Sequence, residues 1–147
     1  MDQGYDPLKL DNQICFPLYA ASREVIKQYR PFLDEIELTY TQYVTMMVLW
    51  EEKKISVGDL GKRLFLDSGT LTPVLKNLEA KGLVKRYRST ADERVLIVEI
   101  TKEGEALRSD AVSIPQQVAS CVRLSPEEAL ILYRLLYKVL GQEKELG

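Results

Sequence analysis

The sequence has no histidine, two cysteines and one tryptophan in 147 residues. Without histidine there is no Ser-His-Asp triad, no Cys-His pair and no imidazole metal site. Two cysteines cannot build a cysteine-rich zinc site. Cys15 and Cys121 are also too far apart for a Cys-x-x-Cys redox motif. Long apolar runs are missing as well. The longest, such as Met46 to Trp50, is about five residues, against the ~18 needed to span a membrane. No basic-then-apolar leader with a small-residue cleavage site opens the chain. These absences predict a cytoplasmic protein with no membrane partner, no metal and no cofactor. In that compartment two distant cysteines are more often free thiols than a disulfide, and a thiol with a task there has a redox task.

What is present is ordinary for one globular domain: 46% hydrophobic and 29% charged residues. The formal net charge of −2 argues against nucleic acid, but its distribution argues for it. Residues 53 to 94 carry +5 and the remainder −7. A basic middle between acidic ends has the pattern of a binding face, although a solvated surface with chance clustering has it too.

Periodicity predicts a mainly helical chain. Leu8 to Tyr29 repeats apolar residues at helical steps, with Pro17 expected to kink it or split off its first turns and Pro31 to end it. Thr39 or Thr41 can cap a second helix over the run Tyr43 to Trp50. Ser56 followed by Asp59 opens a short third helix, in which Gly61 permits close approach of a neighbour. Asp67 and Ser68 can cap a fourth, made irregular near its start by Pro73 and stopped at Gly82. Then the period changes. Leu83 to Arg88 alternates apolar and basic, Val95 to Ile100 is β-branched, and the residues between are polar, which together predict a β-hairpin. Thr101 caps a further helix, broken near Pro115. Ser125-Pro126-Glu127-Glu128 starts the last.

Three short helices and a hairpin make a winged helix-turn-helix. The expected organisation is one domain over 1–147, with a DNA-binding lobe at 39–100 between dimerisation helices at 8–38 and 101–147. The last helix is apolar nearly all round, from Ala129 to Leu140, broken mainly by Arg134 and Lys138. Such a helix must be buried on most sides, and a second copy of the chain is the simplest cover.

The segment Asp92-Glu93-Arg94-Val95-Leu96-Ile97-Val98-Glu99-Ile100-Thr101 closely resembles the wing signature of the MarR family of bacterial transcription regulators. Within that family, Asp67-Ser68-Gly69-Thr70-Leu71-Thr72-Pro73 and Asn12-Gln13-Ile14-Cys15-Phe16 resemble the organic-hydroperoxide regulators. Asp67, Ser68, Thr70 and Thr72 then start a recognition helix whose short polar side chains suit the major groove, with Lys76 and Asn77 on the next turn. Arg94 suits the narrow minor groove, held by Asp92, while Arg86 and Arg88 share a strand face that can grip phosphate. Two such helices in a dimer imply an inverted-repeat operator with half-sites ~34 Å apart on double-stranded DNA.

Cys15 lies on the apolar stripe of its helix, where a buried thiol is usually inert. The resemblance implies instead a peroxide-sensing thiol near Tyr19, Tyr29 and Tyr40, with hydroxyls donated across the dimer interface. A hydroxyl donated to sulfur favours the thiolate, the form that attacks peroxide. Ile14, Phe16 and Leu18 would line an apolar pocket suited to an organic hydroperoxide. Cys121 falls where two-cysteine members carry a resolving thiol. The expectation is a repressor that leaves its operator when Cys15 is oxidised. Its rivals are a MarR-type repressor released by a small phenolic or acidic ligand, a thiol peroxidase, and a helical dimer with protein partners alone.

Overall fold

The computed structural model describes residues 4–142. The chain divides into two compact units, one up to Pro115 and one from Gln116 onward.

In the first unit a single 3-10 turn, Leu10–Asn12, precedes helix α1, Cys15–Glu35. The long helix expected from Leu8 therefore starts later and ends later. Pro17 is the third helical residue, inside the first turn, where a backbone N–H has no helical partner, so it does not kink the helix, and the residues before it are split off, the other outcome expected of it. Pro31 does not end α1 either. It removes one donor on an exposed flank, where water can satisfy the freed carbonyl, and burial of Leu33 holds the turn beyond it. The N–H groups of Ile36 and Leu38 both reach the Leu33 carbonyl, at 3.1 Å each. Glu37, at φ 55°, then turns the chain.

Helix α2, Tyr40–Glu52, opens on Thr39 through a reciprocal capping box with Gln42. Strand β1, Lys54–Ser56, leads into α3, Val57–Leu64, which Ser56 caps. The turn after α3 is tight. A Cβ on Gly61 would lie 2.7 Å from the Leu66 carbonyl oxygen, so the close approach is to this turn. Helix α4, Ser68–Ala80, is capped by Asp67 and runs unbroken through Pro73, contrary to the expected irregular start. Gly82, at φ 75°, releases the chain into β2, Val84–Arg88. With β3, Leu96–Ile100, this forms the hairpin, and β1 adds to the other side of β3. The sheet is antiparallel, with Ile55 and Arg86 both opposite Val98.

Met46, Leu49, Leu60, Leu71, Leu75, Leu78 and Val98 are fully buried and form the core between α2, α3, α4 and the sheet. Helix α5, Lys102–Ala111, belongs to this unit. Thr101 caps it, and the Trp50 indole N–H donates to the Gly104 carbonyl at 2.8 Å. The architecture is a winged helix-turn-helix, as expected. Helix α6, Ile114–Ala119, follows, with Pro115 in its first turn.

In the second unit Ser125 and Glu128 form a capping box that starts α7, Pro126–Val139. Tyr133 and Tyr137 pack with centroids 4.8 Å apart. Leu130, Ile131, Leu132, Leu135, Val139 and Leu140 are all exposed. Among the described residues no helix is long and apolar enough to cross a membrane.

Candidate DNA interface and thiol sites

The two faces of α4 divide cleanly. Leu71, Leu75 and Leu78 point into the core, while Ser68, Thr70, Lys76 and Asn77 are exposed. Asp67 accepts from the Thr70 N–H at 2.7 Å. That bond, followed by one from the Thr70 hydroxyl, holds its carboxyl below the usual range. The Thr72 hydroxyl donates to the Ser68 carbonyl at 2.7 Å, which leaves its oxygen available only as an acceptor. Ser68, Thr72 and Lys76 follow at four-residue steps and so share a stripe along the helix.

Beyond α4 stands the wing. Its tip is closed by bonds from the Ser89 N–H to the Val95 carbonyl at 2.8 Å and from the Val95 N–H to the Asp92 carbonyl at 2.9 Å. Arg94 grips Asp92 with both ends of its guanidinium, Nε to Oδ1 at 3.1 Å and Nη2 to Oδ2 at 3.2 Å, and its backbone N–H adds a third bond. The Arg94 side chain is still 91% exposed. The pairing orients the cation without hiding it, and it keeps the Asp92 carboxyl ionised below its ordinary range.

Arg86 and Arg88 share a strand face, but their surroundings differ. Arg88 leans toward the tip, with Nη1 3.5 Å from the Arg94 carbonyl. Arg86 is only 18% exposed and is bound to Glu79 of α4. A phosphate grip by Arg86 thus has a competitor that sequence reading missed, seven residues back on another element. On the opposite strand face Glu99 accepts from Lys85 at 2.9 Å and from the Tyr87 hydroxyl at 2.8 Å. Pairing also covers Arg63, with Glu51 and Glu52, and Lys53, with Glu105. The basic middle is therefore less bare than its charge implies. Among the described residues, Lys76 has no acid paired with it.

Cys15 is the first residue of α1 and is exposed. No acidic residue lies in that first turn. Ile14, Phe16, Leu18 and Tyr19 are exposed around it, so within one chain they do not close into a pocket. Tyr19 lies one turn on, with the Arg23 guanidinium 5.3 Å from its ring centre. Tyr29 and Tyr40 are elsewhere. Their rings lie 5.0 Å apart, and Tyr43, which sequence reading did not single out, packs against both at 5.8 and 6.2 Å. Burial raises the Tyr29 hydroxyl, and burial followed by the two neighbouring tyrosines raises Tyr43 to about 12. Fourteen residues of helix put Tyr29 ~21 Å along the axis from Cys15, so the structure does not bring this thiol to the Tyr29, Tyr40 and Tyr43 cluster of its own chain.

Cys121 sits in the turn after α6, exposed, with its thiol 3.7 Å from the Gln117 carbonyl. Among the described residues no group of three acidic or thiol side chains that could hold a metal lies together.

Residues 27–110, from within α1 to the end of α5, match the transcriptional regulator SarA/Rot family. The chain is 44% identical over 140 residues to the organic hydroperoxide resistance transcriptional regulator of Bacillus subtilis (strain 168), covering 95% of each protein. It belongs to the MarR family of transcription regulators. Within that family it falls with the organic-hydroperoxide group. The structure of reduced AbfR bound to DNA, from Staphylococcus epidermidis, matches with a TM-score of 0.74 and 35% identity, over 90% of this chain and 91% of that one. Disulfide-formed AbfR matches with a TM-score of 0.64, 35% identity, and 89% and 92% coverage. The MarR-type assignment makes this chain a DNA-binding transcription regulator.

Proposed function

We propose that this regulator is a dimeric cytoplasmic repressor that releases an inverted-repeat operator when organic hydroperoxide oxidises Cys15. The observation that carries the reading is an exposed thiol on the first turn of α1, in a chain closely related to an organic hydroperoxide resistance regulator. The Cys15 thiolate attacks the terminal peroxide oxygen, the O–O bond breaks, and the alkoxide leaves and takes up a proton as the alcohol. Cys15 is left as a sulfenic acid. Attack on its sulfur by the Cys121 thiolate of a partner subunit then forms a disulfide and breaks the S–O bond, and the hydroxide that leaves takes up a proton as water. A dithiol returns both cysteines to the reduced state.

The ~21 Å between Cys15 and Tyr29 along α1 supports a dimer, because only another copy can bring the tyrosine cluster to the thiol. The exposed apolar residues of α7 and of the first turns of α1 supply surface for that copy. In the DNA complex α4 enters the major groove through Ser68, Thr70, Thr72, Lys76 and Asn77, and Arg94 reaches the minor groove. Oxidation must favour a dimer geometry whose recognition helices no longer match the groove spacing.

The test is fluorescence anisotropy of the reduced protein on a duplex from upstream of its own gene, before and after about one equivalent of cumene hydroperoxide per monomer. Wild type should lose the duplex and regain it with dithiothreitol. Cys15→Ser should bind and ignore the peroxide, and release of that variant by peroxide would remove Cys15 from the role.

One observation favours a second reading, release by a small phenolic or acidic ligand. A cavity of about 370 Å³ is lined by the aromatic rings of Tyr43 and Trp50, by Met47, and by the charged residues Arg108 and Glu51. Release of Cys15→Ser by an aromatic carboxylate would support it.

A further inference from the structure

The acid on the recognition helix needs an explanation. Glu79 lies in the last turn of α4, where the helix dipole disfavours a negative charge and where a DNA-binding helix gains nothing from one. Its carboxylate nevertheless accepts three hydrogen bonds from one residue of β2. The Arg86 backbone N–H reaches Oε2 at 3.1 Å, Nε reaches the same oxygen at 3.4 Å, and Nη2 reaches Oε1 at 3.2 Å. A forked arginine–carboxylate contact fixes angle as well as distance.

We propose that Glu79 and Arg86 are a positioning pair that sets the angle of the wing against the recognition helix, so that Arg94 meets the minor groove while α4 fills the major groove. The proposal rests on the DNA-binding reading above. At the base of the hairpin the Thr101 hydroxyl bonds the Gly82 carbonyl at 2.6 Å and the Thr101 N–H the Leu83 carbonyl at 3.0 Å, while β1 holds the other strand, β3, out to Ile97. Glu79 grips β2 further out, at its third residue. From there the strand runs ~7 Å more to Arg88, and the tip turn lies beyond, so a small rotation at the pair is amplified at Arg94. The Asp92 fork stiffens Arg94 within the tip, and Glu79 holds the tip relative to α4. Together they leave the Arg94 guanidinium as the wing's exposed probe.

The test is a double-mutant cycle on operator binding by the reduced protein, with the same upstream duplex and thermal unfolding alongside. Arg94→Ala should weaken wild-type binding about tenfold. Glu79→Ala should weaken it about fivefold, and adding Arg94→Ala to Glu79→Ala should cost less than about twofold more. A merely structural role would lower the melting temperature and leave the Arg94 penalty equal in both backgrounds, which overturns the proposal. Tighter binding by Glu79→Ala, as simple removal of a charge near phosphate would give, also overturns it. Should Glu79→Ala fail to fold, Arg86→Lys keeps the charges, loses the fork, and must show the same shrinkage of the Arg94 penalty. Should Arg94→Ala have no effect in wild type, hydroxyl-radical footprinting decides. Minor-groove protection flanking the site that is lost in Glu79→Ala supports the pair, and protection retained rejects it. If the wild-type protein binds no duplex, the DNA-binding reading fails, and the positioning role fails with it.

Discussion

Leucines in the winged lobe and leucines on α7 meet opposite fates. Leu60, Leu71, Leu75 and Leu78 have no exposed surface. Leu130, Leu132 and Leu135 are 43% to 52% exposed, and Val139 reaches 71%. The start of α1 resembles α7, with Ile14 85% exposed. The same residue type therefore serves two purposes. The lobe completes its core from one chain, because α2, α3, α4 and the sheet cover one another. The apolar surface of α7 and of the start of α1 is not covered in the same way. Burying such residues is worth roughly 1.5–3 kcal/mol each, so leaving many in water is a strong incentive to associate. The comparison teaches that the winged lobe is self-sufficient in its core, whereas α7 and the start of α1 leave apolar surface exposed, which is the surface the proposed dimer would use.

The contrast can be broken most directly in the core. Leu75→Ala should cost about 2–5 kcal/mol in urea unfolding, because it opens a cavity under the recognition helix. A loss under about 1 kcal/mol would mean the lobe is not tightly packed. Next, Leu135→Glu on α7 should shift sedimentation velocity from dimer to monomer while far-UV circular dichroism keeps its helical signal. An unchanged dimer would put the interface elsewhere. The smallest effect sharpens the boundary between the regions, at the tyrosine cluster. Tyr43 binds its proton more tightly folded than unfolded, so its contribution is fully present below pH 10 and is lost as pH rises toward about 12. Tyr43→Phe should therefore show a shallower fall in stability across that window, followed by circular dichroism. An identical alkaline slope would deny the burial.

Much of the fold was legible because capping is a local act. Thr39, Ser56, Asp67, Thr101 and Ser125 each bind a backbone N–H three residues on, so the signal and its effect lie within one turn. The hairpin was legible from its change of period. Pro31 and Pro73 were misjudged for the converse reason. Tolerance of Pro31 depends on Leu33 finding a buried site and on an exposed flank, and neither is local. Strand β1 carried no pattern of its own, since three residues become a strand only by pairing with β3. At the candidate site, Arg94 and Asp92 were readable as a pair two residues apart, whereas Glu79 and Arg86 were not, because their contact crosses from helix to sheet.

Local sequence by itself determined where the side-chain-capped helices begin, which face of α4 is polar and where the wing turns. Each of these follows from neighbours within a few residues. Only the tertiary structure decided which basic residues stay available to DNA, that Tyr43 joins Tyr29 and Tyr40, and that Cys15 lies far from that cluster within its own chain. Those facts depend on which distant side chains meet. Charge pairing, ring packing and burial act through space, and the order of residues along the chain does not specify that proximity locally.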